Sequence, residues 1–129
     1  MKREIKFRAW HIKDKVMFDV IELGLGEGSS MCVYSKKFNR VRESNYRNEF
    51  EVMQYTGLKD KHGKEIYEGD IVRIMDEKEK LEVFWEYGAF FVNNQKLWKQ
   101  VSLGNWGSGQ IELLGNIYEN SNLLDGKGE

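Results

Sequence analysis

Proline is missing from all 129 residues, where an average composition of about 5% would place roughly six. No X-Pro turn, proline-broken helix or slow proline isomerisation can therefore be read into the chain. Thirteen glycines are left to make the tight turns. Cysteine occurs once, as Cys32, which excludes an internal disulfide and with it a stapled secreted scaffold. No window approaches the roughly 18 apolar residues of a membrane span. The opening Met-Lys-Arg-Glu-Ile-Lys has no apolar stretch behind its charges, unlike a secretory signal. The expectation is a cytoplasmic protein with no membrane partner.

What is present suits a β-rich core. Hydrophobic residues make up 40% of the chain, enough to exclude disorder throughout. The four Trp, six Tyr and seven Phe favour strands, where flat rings pack on a pleated surface. The net charge of −1 is unevenly spread. Residues 1–64 carry 14 Lys/Arg against 9 Asp/Glu, and residues 65–129 carry 6 against 12. A basic first half could meet a polyanion, or opposite halves could attract each other within or between chains. The pI of 6.2 ranks the second reading first, because nucleic-acid-binding domains are usually basic.

Alternation of apolar and polar residues marks the strands. Residues 4–10 and 16–23 alternate around a polar 11–15, predicting a β-hairpin. Residues 31–38 and 49–55 read as further strands. Asp60-Lys61-His62-Gly63 predicts a turn in which Gly63 takes a positive φ. Gly69-Asp70 opens a strand that turns back through a charged tip at 75–80. Residues 81–86, 89–94 and 97–103 follow as short strands, with turns at Tyr87-Gly88 and Gln95-Lys96. Residues 110–119 form the last strand, with a bulge or bend at Gly115.

These spacings predict a mainly β chain organised as an N-terminal β-hairpin and linker region (1–65), a small antiparallel SH3-like barrel (66–120) on which the hairpin packs, and a tail (121–129), together one structural unit.

No constellation carries chemistry. Gly-Leu-Gly-Glu-Gly-Ser-Ser at 24–30 lacks the Lys that a P-loop needs after its last glycine, and a strand follows it where a dinucleotide loop opens a helix. His11 and His62 stand in separate charged turns, and neither has zinc-ligand spacing with Cys32. Asp60, Glu65, Glu68 and Asp70 could pair for acid–base or magnesium work, but Asp60 and Asp70 fit turns, where a side-chain oxygen meets backbone amides. No catalytic residue, metal ligand or cofactor is assigned, and the chain is read as a non-enzyme.

The candidate binding surface combines the basic stretch 36–47, through Lys36, Lys37, Arg40, Arg42 and Arg47, with Trp10, Tyr55, Tyr67, Trp98 and Trp106. Phe38 and Tyr46 interleave with the cations, the composition of a single-strand-binding face. The aromatics, Trp85 and Tyr87 included, exceed what one small core holds, so some are expected on a binding or subunit face. The partners expected are a second copy of the chain and a host or phage protein, with nucleic acid ranked below them.

Three stretches together resemble one family: Lys-Phe-Arg-Ala-Trp at 6–10, MQYTGLKDKHGKEIYEGDIV at 53–72, and LLGNIYEN at 113–120 followed by Leu123-Leu124. They are similar to the YopX family of phage and prophage proteins, departing from it at His11, His62 and Ser121, all in expected turns. The resemblance implies a β-rich fold and a phage setting in a host cytoplasm. It implies no catalytic residue, cofactor or reaction.

Overall fold

Two tight turns start the N-terminal sheet. After β1 (Phe7–His11), the Lys15 N–H donates to the His11 carbonyl at 2.8 Å, and Lys15 takes a φ of 56° to launch β2 (Val16–Leu23). After β3 (Met31–Ser35), a four-residue turn leads to β4 (Arg40–Ser44). The computed structural model describes residues 4–24, 30–44, 47–75, 77–86, 88–93 and 101–124. The glycines of the 24–30 loop at 26 and 28, Tyr46, Tyr87, Trp98 and the Gln95-Lys96 turn lie outside them.

The chain divides into two units, Glu4–Gln54 and Tyr55 onward, the division falling inside the long strand β5 (Phe50–Lys59). In the first unit the order is β4-β3-β2-β1-β5, antiparallel throughout. One face packs Ala9, Val16, Phe18, Met31, Val33 and Phe50 into a core. The region is thus a four-stranded meander, β1 to β4, with β5 added beside β1, and it has its own core, larger than the hairpin extension expected from sequence. The alternation that buries every second residue of β3 is the period-2 signal at work.

In the second unit, the far half of β5 pairs with β6 (Glu65–Tyr67). Then come β7 (Asp70–Ile74), β8 (Leu81–Glu86), β9 (Ala89–Asn93), β10 (Val101–Ser102) and β11 (Ile111–Asn116). Their sheet order is β10-β9-β8-β7-β11. Two 3₁₀ turns, Leu103–Asn105 and Ser108–Gln110, precede β11. Ile66, Val72, Ile74, Val83, Val92, Leu103 and Ile111 form the core. The sheet is open: among the described residues it does not close into a barrel. The fold is mainly β with two antiparallel sheets, and no described residue is α-helical. No described helix is long and apolar enough to cross a membrane.

Candidate functional site: the β3–β4 hairpin and its groove

Side chains of the hairpin itself fix its tip. The Ser35 hydroxyl accepts the Phe38 backbone N–H at 3.2 Å, and the Tyr34 hydroxyl donates to Asn39 Oδ1 at 2.7 Å. Asn39 sits at φ 48°, a left-handed conformation that asparagine tolerates. The turn is therefore held before any ligand arrives. It leaves Phe38 55% exposed and Val41 59% exposed, with Lys36, Lys37 and Arg40 open around them. The Lys37 ammonium lies 5.4 Å from the Phe38 ring centroid, within cation–π range.

Beside the hairpin runs a groove of about 610 Å³. Buried Val16, Phe18 and Ser35 line it, and Phe38, Arg40 and Arg42 border it. At one end Arg42 spreads its guanidinium between Asp14 at 3.5 Å and Glu49 at 3.6 Å. His11 lies beneath, 4% exposed. Its Nδ1 accepts the Asp14 backbone N–H at 3.0 Å, so in the neutral ring the proton sits on Nε2, which faces Glu49 at 3.6 Å. The ring also packs edge-on against Phe50 at 4.8 Å. The sequence pattern suggests a histidine in a charged turn. The structure makes it the last residue of β1, a core ring that ties down the β1–β2 turn.

The acidic residues of the 53–72 motif act on backbone. Asp60, 2% exposed, accepts the N–H groups of His62 and Lys64 on Oδ1, at 2.8 and 2.9 Å, and that of Leu113 on Oδ2 at 3.0 Å. Burial pushes its carboxyl up, but the three amides outweigh burial and hold it below its ordinary value. Asp70 accepts the Tyr67 N–H at 2.7 Å, beside Gly69 at φ 83°. Asn116 Oδ1 accepts the Tyr118 and Glu119 amides. Glu112 is held below its ordinary value chiefly by its hydrogen bond from Arg73, with Lys61 Nζ at 3.5 Å. Among the described residues, no three His, Cys, Asp or Glu side chains come together as metal ligands.

The expected surface residues divide. Lys36, Lys37 and Arg40 stand together and exposed at the hairpin, and Arg42 is half-buried in its ion pairs. Arg47 opens the 3₁₀ turn Arg47–Glu49. Trp10 and Tyr55 are buried, at 9% and 5% exposure. Tyr67 is half-buried, its ring 5.5 Å from that of Tyr55, and Trp106 packs half-buried on the second core. Phe38, which the sequence sets among the cations, and Val41, which the sequence pattern does not single out, complete the surface. Exposed Trp85, 51% open, lies with Phe90 at 4.8 Å on the second unit. Alternation identifies which side chains share a face of a strand, and it leaves open which face is covered.

A family model described as "YopX protein" matches residues 6–125. The crystal structure of protein EF1440 from Enterococcus faecalis is similar at 28% identity and a TM-score of 0.65, covering 95% of this chain and 99% of that one. The crystal structure of protein yopX from Bacillus subtilis is similar in fold, at 22% identity and a TM-score of 0.57, with 92% and 97% covered. Comparison with curated proteins gives no match. The chain belongs to the YopX family.

Proposed function

We propose that this YopX-family chain is a non-enzymatic phage or prophage accessory protein that binds another protein in the host cytoplasm through its β3–β4 hairpin. The observation that carries this is the exposure of Phe38 and Val41 among Lys36, Lys37 and Arg40, beside a groove with an apolar floor. Exposed apolar side chains rimmed by cations on a pre-held turn are the composition of a binding face. The buried polar groups His11, Asp60 and Asp70 are engaged in holding turn amides, which supports a binding role over catalysis.

The strand order of the second unit supports an SH3-like topology, in a sheet that stays open among the described residues. Its first long strand, β7, is flanked by its last, β11, and by the meander β8-β9-β10, and 3₁₀ turns precede the last strand. That is the strand order of SH3-like barrels.

A nucleic-acid reading has one observation in its favour, the Phe38 ring set among cations, since a ring can stack a base while cations meet phosphates. One experiment separates the two. The wild-type chain and a Phe38→Ser/Arg40→Glu variant are used to capture partners from host lysate, and both are titrated with labelled single-stranded DNA and RNA over a salt series. Specific protein capture lost in the variant supports the proposal. Steeply salt-dependent oligonucleotide binding, lost in the same variant, supports the alternative. Capture that is indifferent to the double substitution sinks the hairpin as the binding face.

A further inference from the structure

From the geometry of β4 we infer that the partner engages as an extended acidic segment, which adds as a further strand to the β4 edge and seats an apolar side chain in the groove over Val16 and Phe18. The inference rests on the protein-binding reading above and names the chemistry of the partner.

The backbone comes first. β4 lies at the end of its sheet, paired to β3 on one side, and among the described residues no strand covers its other side. In an antiparallel pair only alternate residues direct their N–H and C=O groups to a given neighbour. The remaining groups of Arg40–Ser44 point outward as a template for another strand. The groove runs alongside, bordered by Arg40, Val41 and Arg42 of that strand. Strand addition draws affinity from main-chain hydrogen bonds and specificity from pockets for alternate side chains. Both elements are present here.

Charge selects the occupant. Lys36, Lys37 and Arg40 are exposed at the start of the edge, and Lys37 is the only one of them near an aromatic ring. The contacts of Arg42 to Asp14 and Glu49, at 3.5 and 3.6 Å, are longer than hydrogen bonds, so its fork keeps donors for an incoming carboxylate. Glu43 lies on the opposite face from Arg40 and Arg42, because successive residues of a strand alternate. On the groove face β4 therefore presents Arg40 and Arg42, with Asp14 lining the end of the groove beside Arg42.

A second copy of this chain fits the edge poorly. Antiparallel self-pairing about Val41 sets Arg40 opposite Arg42 twice, and self-pairing about Arg42 sets that arginine against itself. Like charges placed opposite are destabilising. A nucleic-acid strand fits poorly as well, since a stacking surface uses several rings and Phe38 is the one exposed ring on this hairpin.

The test uses the full chain and a fluorescein-labelled decapeptide with glutamate and valine taking turns at its odd positions and serine at its even ones, so that both share one face, followed by anisotropy. Two further versions carry N-methyl groups on the odd or on the even amides, and a fourth replaces glutamate with lysine. Strand addition uses one edge of the peptide, so one methylated series retains binding and the other loses it at least tenfold. The lysine peptide does not bind. Arg40→Glu, checked to melt like the wild type, weakens the acidic peptide at least tenfold, and amide exchange slows in β4 on binding. Equal effects of the two methylation patterns overturn the inference, as does binding unchanged by Arg40→Glu. A labelled oligonucleotide that displaces the peptide and binds tighter overturns it in favour of nucleic acid. If Arg40→Glu abolishes protein capture from lysate while the acidic peptide never binds, only the strand mode falls. If capture is untouched, the hairpin reading falls with it.

Discussion

Asp60 and Leu113 stand 53 positions apart in the chain and one hydrogen bond apart in space, the Leu113 N–H donating to Asp60 Oδ2 at 3.0 Å. The bond joins two of the stretches that resemble the YopX family, 53–72 and 113–120. It is reinforced next door, where the Lys61 N–H donates to the Ile111 carbonyl at 2.8 Å. The carboxylate gathers two more amides from its own turn, so one side chain shapes the turn and fastens it to β11. The residues carrying the family resemblance are thus used to build the fold, which is why they identify the chain without naming a reaction.

Asp60→Ala leaves three backbone N–H groups of a buried site without their acceptor. Hydrogen bonds to a charged group contribute about 1.5–3 kcal/mol each, and losses at one site are not additive, so the expected cost is about 3 kcal/mol in urea denaturation. The pH dependence has a definite sign. The native carboxyl is held below its ordinary 3.8, so its contribution is complete above that value and fades as pH falls through the native one. The stability gap between wild type and Asp60→Ala should narrow below pH 3.8. A gap of constant width would mean that the carboxylate charge contributes nothing.

Gly115 sits at the bulge of β11, where the register against β7 shifts between Leu113 and Gly115. A Cβ there would stand 2.4 Å from Asn120 Oδ1 and 2.8 Å from its Cγ. That oxygen accepts the Asn116 N–H at 3.2 Å, so Gly115→Ala must push the amide off its bond. The expected cost is about 1–3 kcal/mol, the range for overpacking. Asn120→Ala removes the obstacle. The double variant should therefore cost less than the sum of the singles, and strict additivity would show that the clash relaxes some other way.

Glu82 behaves oppositely to Asp60. It lies on β8 between Ile71 and Asn93 of the neighbouring strands, and burial raises its carboxyl above the ordinary 4.5. Below 4.5 both folded and unfolded chains hold the proton, so burial carries no ionisation penalty. As pH rises through the native value the folded state must accept a desolvated charge, and stability is lost. Glu82→Gln should therefore melt higher than wild type at pH 8 and at the same temperature near pH 4. Equal melting at both pH values would place the carboxylate in free contact with water.

Much of this fold was readable from local rules. Gly63 takes its positive φ at the turn, Gly69 takes another at the mouth of β7, and Asp70 bonds a turn amide, each because turn chemistry is decided within four residues. The strand at 81–86 and the bulge at Gly115 follow the same way. What was not readable depends on contacts between distant residues. β5 runs on through Gly57, at φ 87°, to Lys59, because β6 supplies a partner that propensity cannot see. Trp10 and Tyr55 are buried whereas Trp85 and Phe38 are not, a distinction set by what lies over each face. The basic hairpin was legible as a charge cluster, and the groove beside it, lined by residues from β2, β3 and β4, was not.

The last prediction concerns self-association. Along the sequence the charge divides strongly, but by structural unit it does not: residues 4–54 carry nine Lys/Arg against eight Asp/Glu, and the rest carry 11 against 13. The difference arises because Lys2, Arg3, Lys59, Lys61 and Lys64, with one acid, Asp60, fall outside residues 4–54. Attraction between opposite halves is then a weak cause of pairing, and salt should matter little. The apolar term is stronger. Trp85 leaves 51% of its surface open although a buried Trp removes about 150–250 Å² from water, and closed symmetric pairs are the commonest way to cover such a ring. Sedimentation equilibrium at micromolar concentration should give twice the chain mass of 15.2 kDa at both low and high salt. Trp85→Ser, with unchanged circular dichroism, should return the mass to that of one chain. A pair that separates in high salt would restore charge as its cause, and a single-chain mass for the wild type in both salts would leave Trp85 to a different protein.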